Sequence, residues 1–218
     1  LLPPHLSAAV AAVLRLYQKG YLPPTLAESE TVLLFKKKNK SPLELKNFRP
    51  VALLPTVYKL YSGCTLSILQ PFLEKHSILS PSQAGFRQGR HTHQQLAWVM
   101  GLMEDAEISG TDLHCCFIDF RSAFNTPCIE LIEPVFALLG IPPDIRTAMS
   151  ALWTSASTRV TTGAGSTPVI PVARGNVQGD RSSPQIFSLL LEPLLRWLEA
   201  GAHGYCPGLP AVDKHPQH

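Results

Sequence analysis

The stretch LHCCFIDFRSAFNTP, Leu113 to Pro127, decides how the rest of the chain is read. An apolar run of strand length carries one carboxylate, Asp119, near its end. Helix-start signals follow at once, with Thr126 as a candidate N-cap and Pro127 at the first helical position. A carboxylate at the end of a buried strand is costly unless a cation or a hydrogen-bond network neutralises it. A capping or salt-bridging aspartate is the plain alternative. A second stretch shifts that balance: RGNVQGDRSSP, Arg174 to Pro184, in which Ser183 and Pro184 open an apolar helix running through Trp197 to a stop at Gly201.

Composition sets the bounds. The 218 residues are 45% apolar, enough for one large domain or two small lobes. A net charge of +3 permits nucleic-acid binding without requiring it. Five cysteines with no Cys-x-x-Cys spacing indicate neither a disulfide framework nor a zinc site, and point to a reducing compartment, nucleus or cytoplasm. No run of eighteen apolar residues predicts a membrane span, and no secretory leader pattern is visible. The chain lacks an initiating methionine, so we expect it to be a piece of something longer.

Outside the two decisive stretches, periodicity predicts a helix over 5–19, a strand over Glu30 to Phe35 leading into a lysine run (Lys36, Lys37, Lys38, Lys40), and a helix over 57–75. In that last helix Val57, Leu60, Tyr61, Cys64, Ile68 and Phe72 form the expected buried stripe. Thr92 is the expected cap of another helix, with Leu96, Val99, Met100 and Met103 as core. Phe86 is expected in the core, and the lone pair His91 and His93 is not expected to bind a metal. Helices over 127–139 and 144–153 follow, then a β-hairpin of Thr158 to Thr162 against Val169 to Ala173.

Taken together, the two quoted stretches resemble motifs A and B of reverse transcriptases, most similar to those of non-LTR (LINE-type) retrotransposons. The motif A pattern is met by Phe117, Asp119, Ala123 and Phe124, and the motif B pattern by Arg174, Gly175, Gln178, Gly179, Ser183 and Pro184. Upstream, KNFRPVALLPTVYKL from Lys46 to Leu60 is similar to the family's Asn-Tyr-Arg-Pro-Ile segment, and SQAGFRQGR from Ser82 to Arg90 is similar to its Gly-Phe-Arg loop. The resemblance implies an α/β (α+β) fold: reverse-transcriptase fingers plus the incomplete palm of a right-hand polymerase. It divides the chain into a fingers part (1–110), a partial palm with motifs A and B (111–203) and an irregular tail (204–218).

The activity implied is RNA-directed DNA synthesis with an RNA template, a DNA primer and deoxynucleoside triphosphates. Nucleotidyl transfer of this kind uses two Mg2+ (or Mn2+) ions about 3.5–4 Å apart. By the resemblance, Asp119 would hold both metals and the carbonyl of Phe120 would add a ligand. Lys36 or Lys37, which spacing does not separate, and Arg49 would meet the triphosphate; Arg49 suits that task by its bidentate, permanently charged fork. Lys59 would have a supporting role. Phe124 would exclude a 2′-hydroxyl by steric clash, Gln178 and Gly179 would line the nucleotide floor, and Arg87 and Arg90 would contact polynucleotide phosphates.

The match stops short of the family's third motif, x-Asp-Asp, since the chain has no Asp-Asp pair. Gly204 and Tyr205 resemble the turn before that motif, and Asp213 reads as a tail residue. Asn125, Asp180 and Arg181 depart from the commoner family residues. We therefore expect the isolated chain to be inactive, or a nucleic-acid-binding remnant without chemistry. A group II intron maturase remains the nearest other family.

Overall fold

The structure, a computed structural model, describes residues 3–36, 41–120, 123–124, 126–175, 179–201 and 204–208. Lys37, Asn125, Gln178 and Asp213 lie outside the described residues. In chain order the elements are α1 (Pro4–Gln18), α2 (Pro24–Ala27), β1 (Glu28–Phe35), β2 (Phe48–Leu53), α3 (Thr56–Lys75), α4 (Thr92–Ser109), α5 (Ile129–Leu138), α6 (Pro143–Thr154), β3 (Ser157–Thr162), β4 (Gly165–Ser166), β5 (Ile170–Pro171) and α7 (Ser183–Ala200). The chain divides into two units: Leu1–Leu79 with Arg121–Leu190, and Ser80–Phe120 with Leu191–His218.

The first unit is a mixed sheet with helices, as the α/β reading expects. Its five strands run β2-β1-β3-β4, with β5 also paired to β3. β1 is antiparallel to β2 and parallel to β3. The predicted hairpin forms with a broken return arm, β4 pairing at Thr161↔Ser166 and β5 at Thr158↔Ile170. One face of β1 is closed by small polar residues that satisfy each other: Thr31 and Thr158 hydroxyls meet at 2.7 Å, and Ser29 donates to the Ser157 carbonyl at 3.1 Å. Beyond the sheet, α3, α5, α6 and the start of α7 bury Leu69, Leu73, Ile132, Phe136, Met149, Ile186 and Leu189 in one cluster. The Phe136 and Trp153 rings meet edge-on at 6.3 Å. A second cluster joins α1 to α3 and α6 through Val13, Tyr58, Tyr61 and Leu152.

Four local expectations are corrected. The buried face of α3 is Tyr58, Tyr61, Ser62, Thr65, Leu66, Leu69 and Leu73, whereas Leu60 and Ile68 are exposed. Hydrophobicity alone put the stripe roughly one residue off, because Ser62 and Thr65 are buried with hydrogen-bond partners. α5 starts at Ile129 rather than at Pro127, whose carbonyl instead accepts the Gly175 N–H at 2.8 Å. His91, not Thr92, is the N-cap of α4; its N–H donates to Gln94 Oε1 at 2.9 Å. At the other end of this region Ser182, one residue before the expected Ser183, supplies the first helical carbonyl of α7 to the Ile186 N–H.

The second unit holds α4, the segment 111–120 and the C-terminal half of α7. Its expected core stripe is exposed: Leu96, Val99, Met100 and Met103 all face solvent, and Ala106 is the only buried residue of α4. Periodicity identifies an apolar stripe but not what covers it, and the described residues of this unit supply little to pack against. The difference is measurable. Phe136→Ala is expected to cost about 3–5 kcal/mol in urea unfolding, while Met100→Ala should stay within about 0.5 kcal/mol; a large loss at Met100 would overturn this placement of the core.

Candidate nucleotide and nucleic-acid sites

The lysine–arginine pair expected at the triphosphate is built by the β1–β2 ribbon. Its register sets Leu34 opposite Arg49 and Phe35 opposite Phe48, whose rings pack at 5.3 Å. The ladder continues one residue beyond β1, where the Lys36 N–H donates to the Asn47 carbonyl at 2.8 Å. Side chains alternate along a strand, so Lys36 stands on the same face as Leu34 and Arg49, diagonal to the arginine. That face is the open one: Leu34, Arg49 and Leu53 are exposed, while Thr31 and Ala52 on the opposite face are buried. Lys36 Nζ is tethered to the Lys46 carbonyl at 3.2 Å, within reach of the same face. Of the two lysines that spacing left open, Lys36 is the one within the described residues.

Motif B is held by contacts that the sequence did not announce. Gly179 has φ +126°, a conformation open only to glycine, and a Cβ there would run into the Ala52 carbonyl oxygen of β2. Its missing side chain therefore makes room for the protein's own backbone, besides any room for a nucleotide. Asp180, next to it, is buried and accepts hydrogen bonds from the hydroxyls of Ser62 on α3, at 2.5 Å, and of Ser182. Burial raises its pKa above the usual carboxylate value, against the lowering effect of Ser182, Ser62 and two backbone N–H groups. Tyr58, whose hydroxyl donates to the Leu152 carbonyl at 3.2 Å, is pushed well above its ordinary value by burial and then by Asp180. Arg181 is exposed, with its guanidinium over Gly63. Phe124 is half-buried and its ring lies 5.6 Å from Phe187 on α7.

In the second unit the Gly-Phe-Arg loop corrects one expectation. Phe86 is exposed, at φ +58°, instead of lying in the core. Arg87 is half-buried and spends one guanidinium nitrogen on the carbonyls of Ser80, at 2.9 Å, and Gln83, at 3.1 Å. It shapes the loop from inside. Arg90 is exposed, and among the described residues it has no ion-pair partner. His91 and His93 stack at 5.3 Å without joining any group of three or more candidate metal ligands among the described residues.

The strand expected around Asp119 is the largest correction. Residues 111–120 form no strand, and Phe117, Ile118, Asp119 and Phe120 are all exposed. An apolar β-branched and aromatic run needs a partner edge to become a strand, and none of the described strands pairs with it. The donor set does not fit a two-metal centre: Asp119 is one carboxylate, and no group of three or more His, Cys, Asp or Glu converges among the described residues. The sequence reading also missed Ser62 as a partner of Asp180; two polar residues on the inward side of a helix were the available signal.

The mixed sheet, the glycine-bearing loop braced on it and the order of the motifs along the chain define a class. The chain belongs to the family described as Reverse transcriptase (RNA-dependent DNA polymerase), matched over residues 35–207, and its α/β architecture is consistent with a right-hand polymerase. It is 28% identical, over 91% of its length and 18% of the relative's, to the putative 115 kDa protein in type-1 retrotransposable element R1DM of Drosophila melanogaster. It is 26% identical to the transposon TX1 uncharacterized 149 kDa protein of Xenopus laevis, over 82% of this chain and 13% of that one. It is 25% identical, over 78% of its length and 18% of the relative's, to the RNA-directed DNA polymerase from mobile element jockey of Drosophila funebris. The chain thus spans less than a fifth of these relatives, which are proteins of non-LTR retrotransposons. Reverse transcriptases use divalent metal ions, a nucleic-acid template and nucleotide substrates. No helix among the described residues is long and apolar enough to cross a membrane.

Two outcomes test the motif B brace. Gly179→Ala should destabilise the chain by at least about 1–3 kcal/mol, read as a lower urea midpoint without any nucleotide present. Were its only task to leave room for substrate, the midpoint would not move. For Asp180 the folded state holds the proton more tightly than the unfolded state. Its contribution is therefore greatest below the ordinary carboxylate pKa and is lost as pH rises through the raised folded value. The stability of Asp180→Asn minus that of the parent should accordingly rise from pH 3 to pH 7; a difference flat with pH would remove the buried-acid assignment.

Proposed function

We propose that this chain is the fingers and partial palm of a retrotransposon reverse transcriptase: it grips template, primer and incoming nucleotide but does not perform nucleotidyl transfer alone. The parent protein would carry out RNA-directed DNA synthesis, using an RNA template, a DNA primer, deoxynucleoside triphosphates and two Mg2+ or Mn2+ ions. The observation that carries this reading is the β1–β2 register, which gathers Lys36 and Arg49 on one open face inside the family-matched segment. Such a face offers a bidentate fork and a point charge to a triphosphate, the electrostatic part of phosphoryl-transfer chemistry. Residues 1–110 serve as fingers, 111–203 as partial palm and 204–218 as a tail, in an intracellular setting of nucleus or cytoplasm.

Arg90 contributes a phosphate contact, and Phe124 screens the sugar of the nucleotide. Lys37, Gln178 and Arg87 keep the roles that resemblance implies for them only as proposals, and for Arg87 the loop-shaping bonds argue for an indirect one. Asp119 and the Phe120 carbonyl would serve as metal ligands in the longer parent, with further carboxylates supplied elsewhere. Within this chain no step runs through the metals.

The test is binding and extension on one RNA–DNA primer–template. Affinity should fall linearly with salt on logarithmic axes, and Arg90→Ala should reduce that slope by about 1. Lys36→Ala and Arg49→Ala should weaken dNTP-dependent stabilisation of the complex. No primer extension is expected with Mg2+ or Mn2+. Extension abolished by Asp119→Asn would overturn the claim that the chain is inactive alone, and salt-independent binding would overturn the grip itself.

A further inference from the structure

The Gly-Phe-Arg loop is strapped to α7 by two carboxylates that no motif of the sequence singles out. Glu192 is fully buried, and its Oε1 accepts the Ser80 N–H at 2.8 Å and the Arg196 Nε–H, four residues on, at 3.1 Å. About two helical turns later, on the same side of α7, Glu199 accepts from the Ser82 hydroxyl at 2.8 Å and from the Ser80 hydroxyl. These bonds hold the Glu199 carboxyl below its ordinary pKa, so it is charged at neutral pH. The Ser80 hydroxyl in turn accepts the Ser82 N–H at 3.0 Å, and the Ser80 carbonyl accepts Arg87 at 2.9 Å. One chain of bonds therefore runs from α7 through Ser80 and Ser82 to Arg87, and from the Arg87 carbonyl to the Arg90 N–H at 3.3 Å.

We propose that Glu199 and Glu192 are positioning residues for nucleic-acid binding: they fix the start of the 80–90 loop so that Arg90 is presented to a polynucleotide phosphate. The inference rests on the reading of this loop as a phosphate contact. A flexible loop would lose conformational entropy on binding, and a preset one does not.

Charge makes the proposal sharp. An acidic side chain close to a phosphate-binding loop repels the ligand, so electrostatics alone predicts that removing it tightens binding. Positioning predicts the opposite sign. Glu199 is the residue to change, because it is itself exposed, whereas Glu192 is fully buried.

The experiment is fluorescence anisotropy of the whole chain with an RNA–DNA primer–template at fixed low salt. Glu199→Ala is expected to weaken binding about tenfold, the scale of losing hydrogen bonds to a charged acceptor. Glu199→Gln keeps an acceptor oxygen for both serines and should bind within about twofold of the parent. Ser80→Ala with Ser82→Ala removes both bonds to Glu199, and the Ser82 N–H bond to the Ser80 hydroxyl, while leaving the charge, and should weaken binding at least as much as Glu199→Ala. The double variant Glu199→Ala, Arg90→Ala should be no weaker than Arg90→Ala alone, since both act through one contact. Hydrogen exchange at the Ser82, Gln83 and Gly85 amides should quicken in Glu199→Ala while the thermal midpoint holds. Tighter or unchanged binding by Glu199→Ala, or full additivity with Arg90→Ala, overturns the positioning role. An Arg90→Ala chain that binds like the parent overturns the loop reading, and this inference with it.

Discussion

The first unit depends on one buried polar knot. Asp180 takes the Ser62 hydroxyl of α3 and the Ser182 hydroxyl at the head of α7, while its neighbour Gly179 lets the Ala52 carbonyl of β2 come close. A helix, a strand edge and a helix start are thereby joined within two consecutive residues. Burying a carboxylate is unfavourable unless its lone pairs are filled, and here two hydroxyls and two backbone N–H groups fill them. Such a knot specifies an arrangement that apolar packing alone would leave loose, because it tolerates no slip of α3 by one residue. That explains why the buried face of α3 carries Ser62 and Thr65 while Leu60 and Ile68 are left outside.

The site residues differ in what holds them. Lys36 and Arg49 sit on a ribbon whose register is set by backbone ladders and by the packed Phe35 and Phe48 rings, so their shared face follows from pleat geometry. Phe124 leans on Phe187, an aromatic wall carried by α7. Asp119 has no comparable support. Its segment has strand-forming residues and an exposed backbone, and a lone carboxylate there can do little with a divalent ion that needs several oxygen ligands. The residues proposed for electrostatic grip are thus firmly placed by the fold, and the residue proposed for metal chemistry is not.

In the second unit the loop residues divide into one held inward by its own loop and one left exposed. Arg87 reads as a phosphate contact by its place in the motif, yet it is occupied by the carbonyls of its own loop, leaving Arg90 as the outward charge. The carboxylates that brace this loop, Glu192 and Glu199, lie in a helix that by sequence is simply apolar with scattered charges.

By itself the sequence determined the class of protein and most of the element plan. The resemblance of its motifs to a known family gave the family, and periodicity placed α1, α3, α4, α6, α7 and β1 close to where they stand. Those features are local: turns, caps and apolar repeats act over a few residues and leave a readable trace. Tertiary structure decided the rest. Which face of α3 is inward, that Gly179 answers to Ala52, that Lys36 shares a face with Arg49, and that Leu113 to Phe120 is no strand all depend on groups distant in sequence. A strand needs an edge to pair with and a buried carboxylate needs donors, and neither requirement can be read from the residue that has it.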